Sequence, residues 1–187
     1  MTAERATAPA DSAAPARAGP RHPLLYQLNT RVRLTELSRA LGRPATLDDL
    51  GDAELDRWAA LGFDWVWLLG VWQTGPTAQR ISRSHAEWRR DFEHALPDLT
   101  DADIGGSCFA VRDYGVHAAL GGSEALARLR GRMRSRGLKL MLDFVPNHVA
   151  PDHAWVEEFP EFFVQGSAAE LEAAPQNWCR VRTRRAG

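Results

Sequence analysis

Three side chains able to address hydroxyl groups fall within one short run, Asp143-Phe-Val-Pro-Asn147-His148. A carboxylate only accepts hydrogen bonds, an amide donates and accepts, and an imidazole does either according to its tautomer. Brought to one strand end, Asp143, Asn147 and His148 suit a neutral ligand whose hydroxyls both donate and accept. Taken singly, each has a plainer explanation: Asp143 as a buried turn cap, Asn147 as a turn former after Pro146, His148 as a surface residue.

Alternating elements are expected to position this run. Leu24-Leu25-Tyr26-Gln27-Leu28, between Pro23 and Asn29, reads as a first buried strand. Thr46 to Leu61 reads as helix in two pieces, with Asp52 as N-cap, Leu55, Trp58 and Ala59 on one face, and Gly62 beyond its end. Phe63 to Leu69 is apolar on both faces apart from Asp64, the pattern of a parallel strand covered by helices. From Gln73 to Ile104 the chain turns polar, with one amphipathic helix at Ala86 to Ala95 in an unusually long connection. Ser123 is expected to cap a helix carrying Leu126, Leu129 and Met133 and ended by Gly137. Leu138 to Val145 then forms a third buried strand, and its end delivers Asp143. Strand–helix alternation of this kind implies an α/β fold with a parallel sheet, doubly wound or closed as a barrel.

Composition excludes several classes. In 187 residues, 23 Lys and Arg face 24 Asp and Glu, so no net field draws the chain to nucleic acid or an anionic membrane. Cys108 and Cys179 lack metal-ligand spacing and read as free thiols. Residues 1–22 are rich in Ala, Pro and Arg without a continuous apolar centre, so a disordered lead and a cytoplasmic protein are expected. No run approaches the roughly 18 apolar residues of a membrane span. Arg128, Arg130, Arg132, Arg134 and Arg136 are read as a solvated helix surface.

Three stretches together resemble the alpha-amylase family of glycoside hydrolases. Leu61-Gly-Phe-Asp-Trp-Val-Trp-Leu-Leu69 is similar to its second barrel strand, Asp113-Tyr-Gly-Val-His-Ala-Ala-Leu-Gly-Gly122 to the segment before its second helix, and Asp143 to His148 to its first signature region. The resemblance covers about residues 24 to 165 and implies a parallel (β/α) TIM-type barrel, of which this chain carries the first three of eight strand–helix units. Barrels of this kind bind ligands at the C-terminal ends of their strands. By resemblance, residues 23–149 form the first part of the catalytic barrel, and residues 150–187 the start of an inserted loop domain ending in a basic tail. His148 would contact a hydroxyl of an alpha-linked glucoside or oligosaccharide, Asp143 would support the site from the strand end, and Asn147 would tie down the loop and, in relatives, help bind calcium. The segment Gly106 to Phe109 matches the place of a stacking aromatic, which makes Phe109 the candidate platform. Trp72 reads as a core or loop anchor, with a sugar platform as the alternative.

The resemblance also implies chemistry that residues 149–187 do not match. Retaining glycoside hydrolysis uses two carboxyl groups about 5 Å apart, and the family carries its nucleophilic aspartate after strand four and its acid glutamate after strand five. No catalytic residue is assigned to Asp152, Glu157, Glu158 or Glu161. The expectation is therefore the N-terminal portion of an alpha-glucan or alpha-glucoside hydrolase or transglycosylase, incomplete as it stands. The alternative is a non-catalytic, carbohydrate-binding relative.

Overall fold

A computed structural model describes residues 22–181; residues 1–21 of the expected 1–22 lead and the end of the basic tail (182–187) lie outside the described residues. In chain order the elements are β1 (Leu25–Asn29), α1 (Thr30–Leu41), α2 (Asp52–Ala60), β2 (Trp65–Leu69), β3 (Trp72–Thr74), α3 (Pro76–Ser84), α4 (Ala86–Ala95), β4 (Val111–Val116), α5 (Gly122–Arg134), β5 (Lys139–Leu142), α6 (Ala154–Glu158) and α7 (Ala168–Ala173). The three strands expected from the apolar runs form one parallel sheet in the order β1-β2-β5. Its register places Gln27 beside Trp67 and Trp67 beside Met141. Asp64, the one charge at the start of the second run, joins the strand entrances. Its carboxylate accepts from the Leu24 N–H at 2.8 Å, and its carbonyl accepts from the Lys139 N–H at 2.8 Å.

The two faces of the sheet differ. Val66 and Leu68 of β2 are fully buried among Leu55, Trp58, Leu129 and Met133 in the core cluster, whereas Trp65, Trp67 and Leu69 point the other way and are only half-buried. The expected cover by helices thus holds for one face. Burial of each Leu-sized side chain stabilises by roughly 1.5–3 kcal/mol, so the covered face carries most of the sheet's stability.

Several boundaries move for local reasons. Gly51, not Asp52, is the N-cap of α2; Asp52 is the first helical residue, where its carboxylate meets Arg132 and Arg136. Gly121 precedes α5 with φ 94°, and a Cβ there would lie 2.7 Å from that of Ala125, so a glycine takes the cap position expected of Ser123. Helix α1 was not expected: Arg31, Arg33, Glu36 and Arg39 mask its stripe of Leu34, Leu37 and Leu41. Asn29 caps it by accepting the Val32 N–H. Helix α3 opens on Pro76 and buries only Ala78 and Ser82, too small and polar a set to mark a periodic stripe. The arginines of α5, with Arg136 just beyond its end, are more than a solvated surface. Arg128, Arg132 and Arg136 share one face and reach Asp48, Asp52 and Asp56, and Arg132 also donates to the Leu50 carbonyl at 2.8 Å.

Between β2 and α5 an antiparallel pair, β3–β4, stands outside the parallel sheet. The third strand ends at Leu142 rather than Val145, because β2, its pairing partner, stops at Leu69 and turns at Gly70 with φ 79°. Asp143 consequently lies one residue past the sheet.

Candidate functional site

Asp143 is 5% exposed, and its two oxygens are both engaged. Oδ1 accepts from the Trp67 indole N–H at 2.8 Å, and Oδ2 from the Gly70 backbone N–H at 2.6 Å. A buried carboxylate needs such partners to offset its lost hydration, and the charge strengthens each bond. The left-handed φ of Gly70 turns its N–H toward Asp143, while a Cβ at that position would stand 2.7 Å from the Cβ of Cys108. Only glycine satisfies both demands.

Gly70 is the meeting point of three chain segments. Its N–H meets Asp143, its Cα packs on Cys108, and its carbonyl faces Arg31 Nε at 3.5 Å. Arg31 Nη2 also donates to Thr74 Oγ1 at 2.9 Å. Burial lowers the Arg31 pKa from its ordinary value. Burial raises the Cys108 thiol, and it lowers His117, where the charge of Arg31 acts in the same direction. Cys108 is therefore a protonated thiol packed beside the site. Phe109, the expected stacking aromatic, is the next residue and is 40% exposed, in the turn leading into β4.

Beyond Asp143 the chain is irregular but tethered. Trp72 Nε1 donates to the Asp143 carbonyl at 2.8 Å, which makes Trp72 an anchor of this loop. Tyr114 Oη accepts from the Val145 N–H at 2.8 Å and donates to the Val145 carbonyl at 3.1 Å. The Ala150 N–H returns to the Val111 carbonyl at 2.8 Å. Between these tethers Asn147 and His148 are exposed, with Asn147 Nδ2 3.3 Å from His148 Nδ1. The structure thus separates the three expected residues into a buried support, Asp143, and an exposed pair. Beside the loop, Gln73, Arg112, Asp113 and Asp152 line an open polar hollow of about 580 Å³.

The supporting residues Trp67, Gly70, Tyr114 and Arg31 were not singled out from the sequence. A glycine directly after an apolar strand was the available signal for Gly70. Trp67 and Tyr114 carry polar tips that must find partners when the ring is packed, but the sequence does not say which partners.

The family description of the alpha amylase catalytic domain matches residues 53–185. The chain belongs to the alpha-amylase family. An alpha-1,4-glucan:maltose-1-phosphate maltosyltransferase of Salinibacter ruber is 32% identical over 148 residues, which cover 72% of this chain and 20% of that protein. An alpha-glucosidase of Apis mellifera is 27% identical over 149 residues, covering 72% of this chain and 22% of the relative. Among solved structures, an alpha-amylase from Lactobacillus plantarum superposes with a TM-score of 0.52 at 25% identity, over 78% of this chain and 27% of that one. The chain thus spans about a fifth of the length of the curated relatives it matches.

Calcium is the metal that membership of the alpha-amylase family brings into question. Calcium takes roughly six to eight oxygen ligands. Among the described residues no three His, Cys, Asp or Glu side chains converge as a metal site requires, and the Asn147 amide is turned toward His148. It is the amide nitrogen that faces His148, so Asn147 Oδ1 is a single oxygen donor against that ligand number. Among the described residues no helix is long and apolar enough to cross a membrane.

Proposed function

We propose that this chain is the N-terminal part of the catalytic domain of an alpha-glucan or alpha-glucoside hydrolase or transglycosylase, and that it supplies the sugar-orienting side of the site. Residues 23–149 are read as the first three strand–helix units of a (β/α)8 barrel, and residues 150–187 as the start of an inserted loop domain. The observation that carries this reading is the fixed strand end. With Asp143 held by Trp67 and Gly70 at 2.8 and 2.6 Å, the segment 144–148 leaves the C-terminal end of β5 in one direction, with Asn147 and His148 exposed to a ligand.

In this mechanism Asp143 does not touch the sugar. It holds the strand end, while His148 donates to or accepts from a ring hydroxyl and Asn147 presents its amide beside it. Phe109 offers a ring face to the apolar face of the sugar, on a segment packed against Gly70. No residue of this chain is assigned as nucleophile or general acid.

Purified chain incubated with a chromogenic alpha-glucoside tests the assignment of roles. The expected result is saturable binding without turnover. Turnover that disappears in His148→Ala would overturn the statement that this chain orients the sugar without cutting it.

A further inference from the structure

The parallel sheet holds the loop that carries Asn147 and His148 only at its start, through the Asp143 side chain. The loop's three backbone tethers beyond that side chain all run to the antiparallel β3–β4 pair: the Asp143 carbonyl to Trp72 on β3, both backbone groups of Val145 to Tyr114 on β4, and the Ala150 N–H to Val111 on β4. Tyr114 is the central tether. Its single hydroxyl accepts at 2.8 Å and donates at 3.1 Å to the same residue, which closes Val145 from both sides. Its ring meets Trp72 edge-on with centroids 5.3 Å apart, and Phe144, itself 78% exposed, lies 6.1 Å from it. Tyr114 is 40% exposed, so apolar burial alone does not account for its place.

We propose that Tyr114 is a positioning residue for the sugar-binding loop: by clamping Val145, its hydroxyl fixes the course of the backbone into Asn147 and His148. The proposal rests on the assignment of His148 as the sugar-orienting group. It makes the β3–β4 pair, which lies outside the parallel sheet, the frame of the ligand face. With the clamp in place, His148 meets a hydroxyl without first losing loop freedom. Without it, ordering the loop opposes binding.

Tyr114→Phe keeps the ring and removes only the hydroxyl. By amide hydrogen exchange and 15N-resolved NMR of the full chain, the Val145 amide is expected to lose protection and the Asn147 and His148 amides to shift, with Val66 and Leu68 unchanged. Maltotriose affinity is expected to fall about two- to tenfold, the range of one net hydrogen bond. In a His148→Ala background the same substitution is expected to cause no further loss. Retained Val145 protection, or an equal loss of affinity in both backgrounds, would overturn the proposal. If the unaltered chain binds no maltotriose, the sugar reading fails on its own. Val145 exchange then still decides the clamp, lost protection supporting it and retained protection refuting it. Should Tyr114→Phe disturb the fold, Trp72→Phe removes the indole N–H that meets the Asp143 carbonyl and leaves the Tyr114 hydroxyl in place, at the cost of a smaller ring beside Tyr114. That variant is expected to shift the His148 amide while Val145 stays protected, and an unmoved His148 would count against the β3–β4 pair as frame.

Discussion

Replacing Asp143 with asparagine changes one atom and separates a structural carboxylate from a merely polar residue. Two donors, the Trp67 indole N–H and the Gly70 backbone N–H, converge on its two oxygens, and the group is 5% exposed. Asparagine offers one acceptor and one amide nitrogen, so in either orientation one N–H faces another donor. The Gly70 donor is fixed by the backbone at φ 79° and makes the shorter bond, so the amide oxygen is expected to stay there and leave Trp67 without its acceptor. One charge-assisted bond contributes about 1.5–3 kcal/mol, and a buried donor left unpaired costs about 1–3 kcal/mol. The two overlap, giving an expected loss of about 2–4 kcal/mol. Against a typical stability of roughly 5–15 kcal/mol this is a large fraction, readable as a shift of about 1–2 M in the urea midpoint. The Trp67 indole N–H resonance reports the same event directly, by shifting and exchanging faster. A loss under about 0.5 kcal/mol with an unmoved Trp67 indole would refute the assignment of Asp143 as the support of the strand end.

Gly70→Ala is expected to cost about 2 kcal/mol or more by urea denaturation, combining the left-handed backbone with the overlap onto Cys108; adding Cys108→Gly should recover the steric part and leave the backbone part, a non-additive pair. Arg132→Met should destabilise by about 1–3 kcal/mol, because Arg132 donates to the Leu50 carbonyl as well as to Asp52. Arg128→Met, which loses only an exposed, solvent-screened pair with Asp48, should cost clearly less in the same assay. His117 is held below its ordinary pKa by burial and by the charge of Arg31, so its contribution to stability is fully present above pH 6.5 and is lost as pH falls from there toward the folded value. His117→Asn, which can still accept the Ala119 N–H, should flatten that part of the pH–stability curve.

The sheet was legible because its strands are short apolar runs bounded by turn residues, although the third was expected to run on to Val145 and ends at Leu142. Helix α4 matches its expected limits, Ala86–Ala95, since its amphipathic pattern is undisturbed. Helix α1 was obscured by four charged residues set among its leucines, two of which have partners on other elements, Arg33 with Glu54 at 3.0 Å and Arg31 with Thr74 at 2.9 Å. Those bonds join α1 to α2 and β3, and local periodicity carries no trace of them. The same holds at the site. The run from Asp143 to His148 announced itself, but the partners that set its geometry, Trp67, Gly70 and Tyr114, come from positions 31 to 76 residues away in sequence. Long-range hydrogen bonds of this kind are fixed by register and turn geometry, which single-sequence patterns do not encode.

Titration of the 15N-labelled chain with maltotriose tests the sugar-orienting role of this loop most directly. Saturable shifts are expected at Asn147, His148 and the neighbouring Gly70 amide, with none at the polar hollow beside Asp152, and they are expected to vanish in His148→Ala. Shifts centred elsewhere on the chain, or shifts at the loop that persist in His148→Ala, would contradict that role.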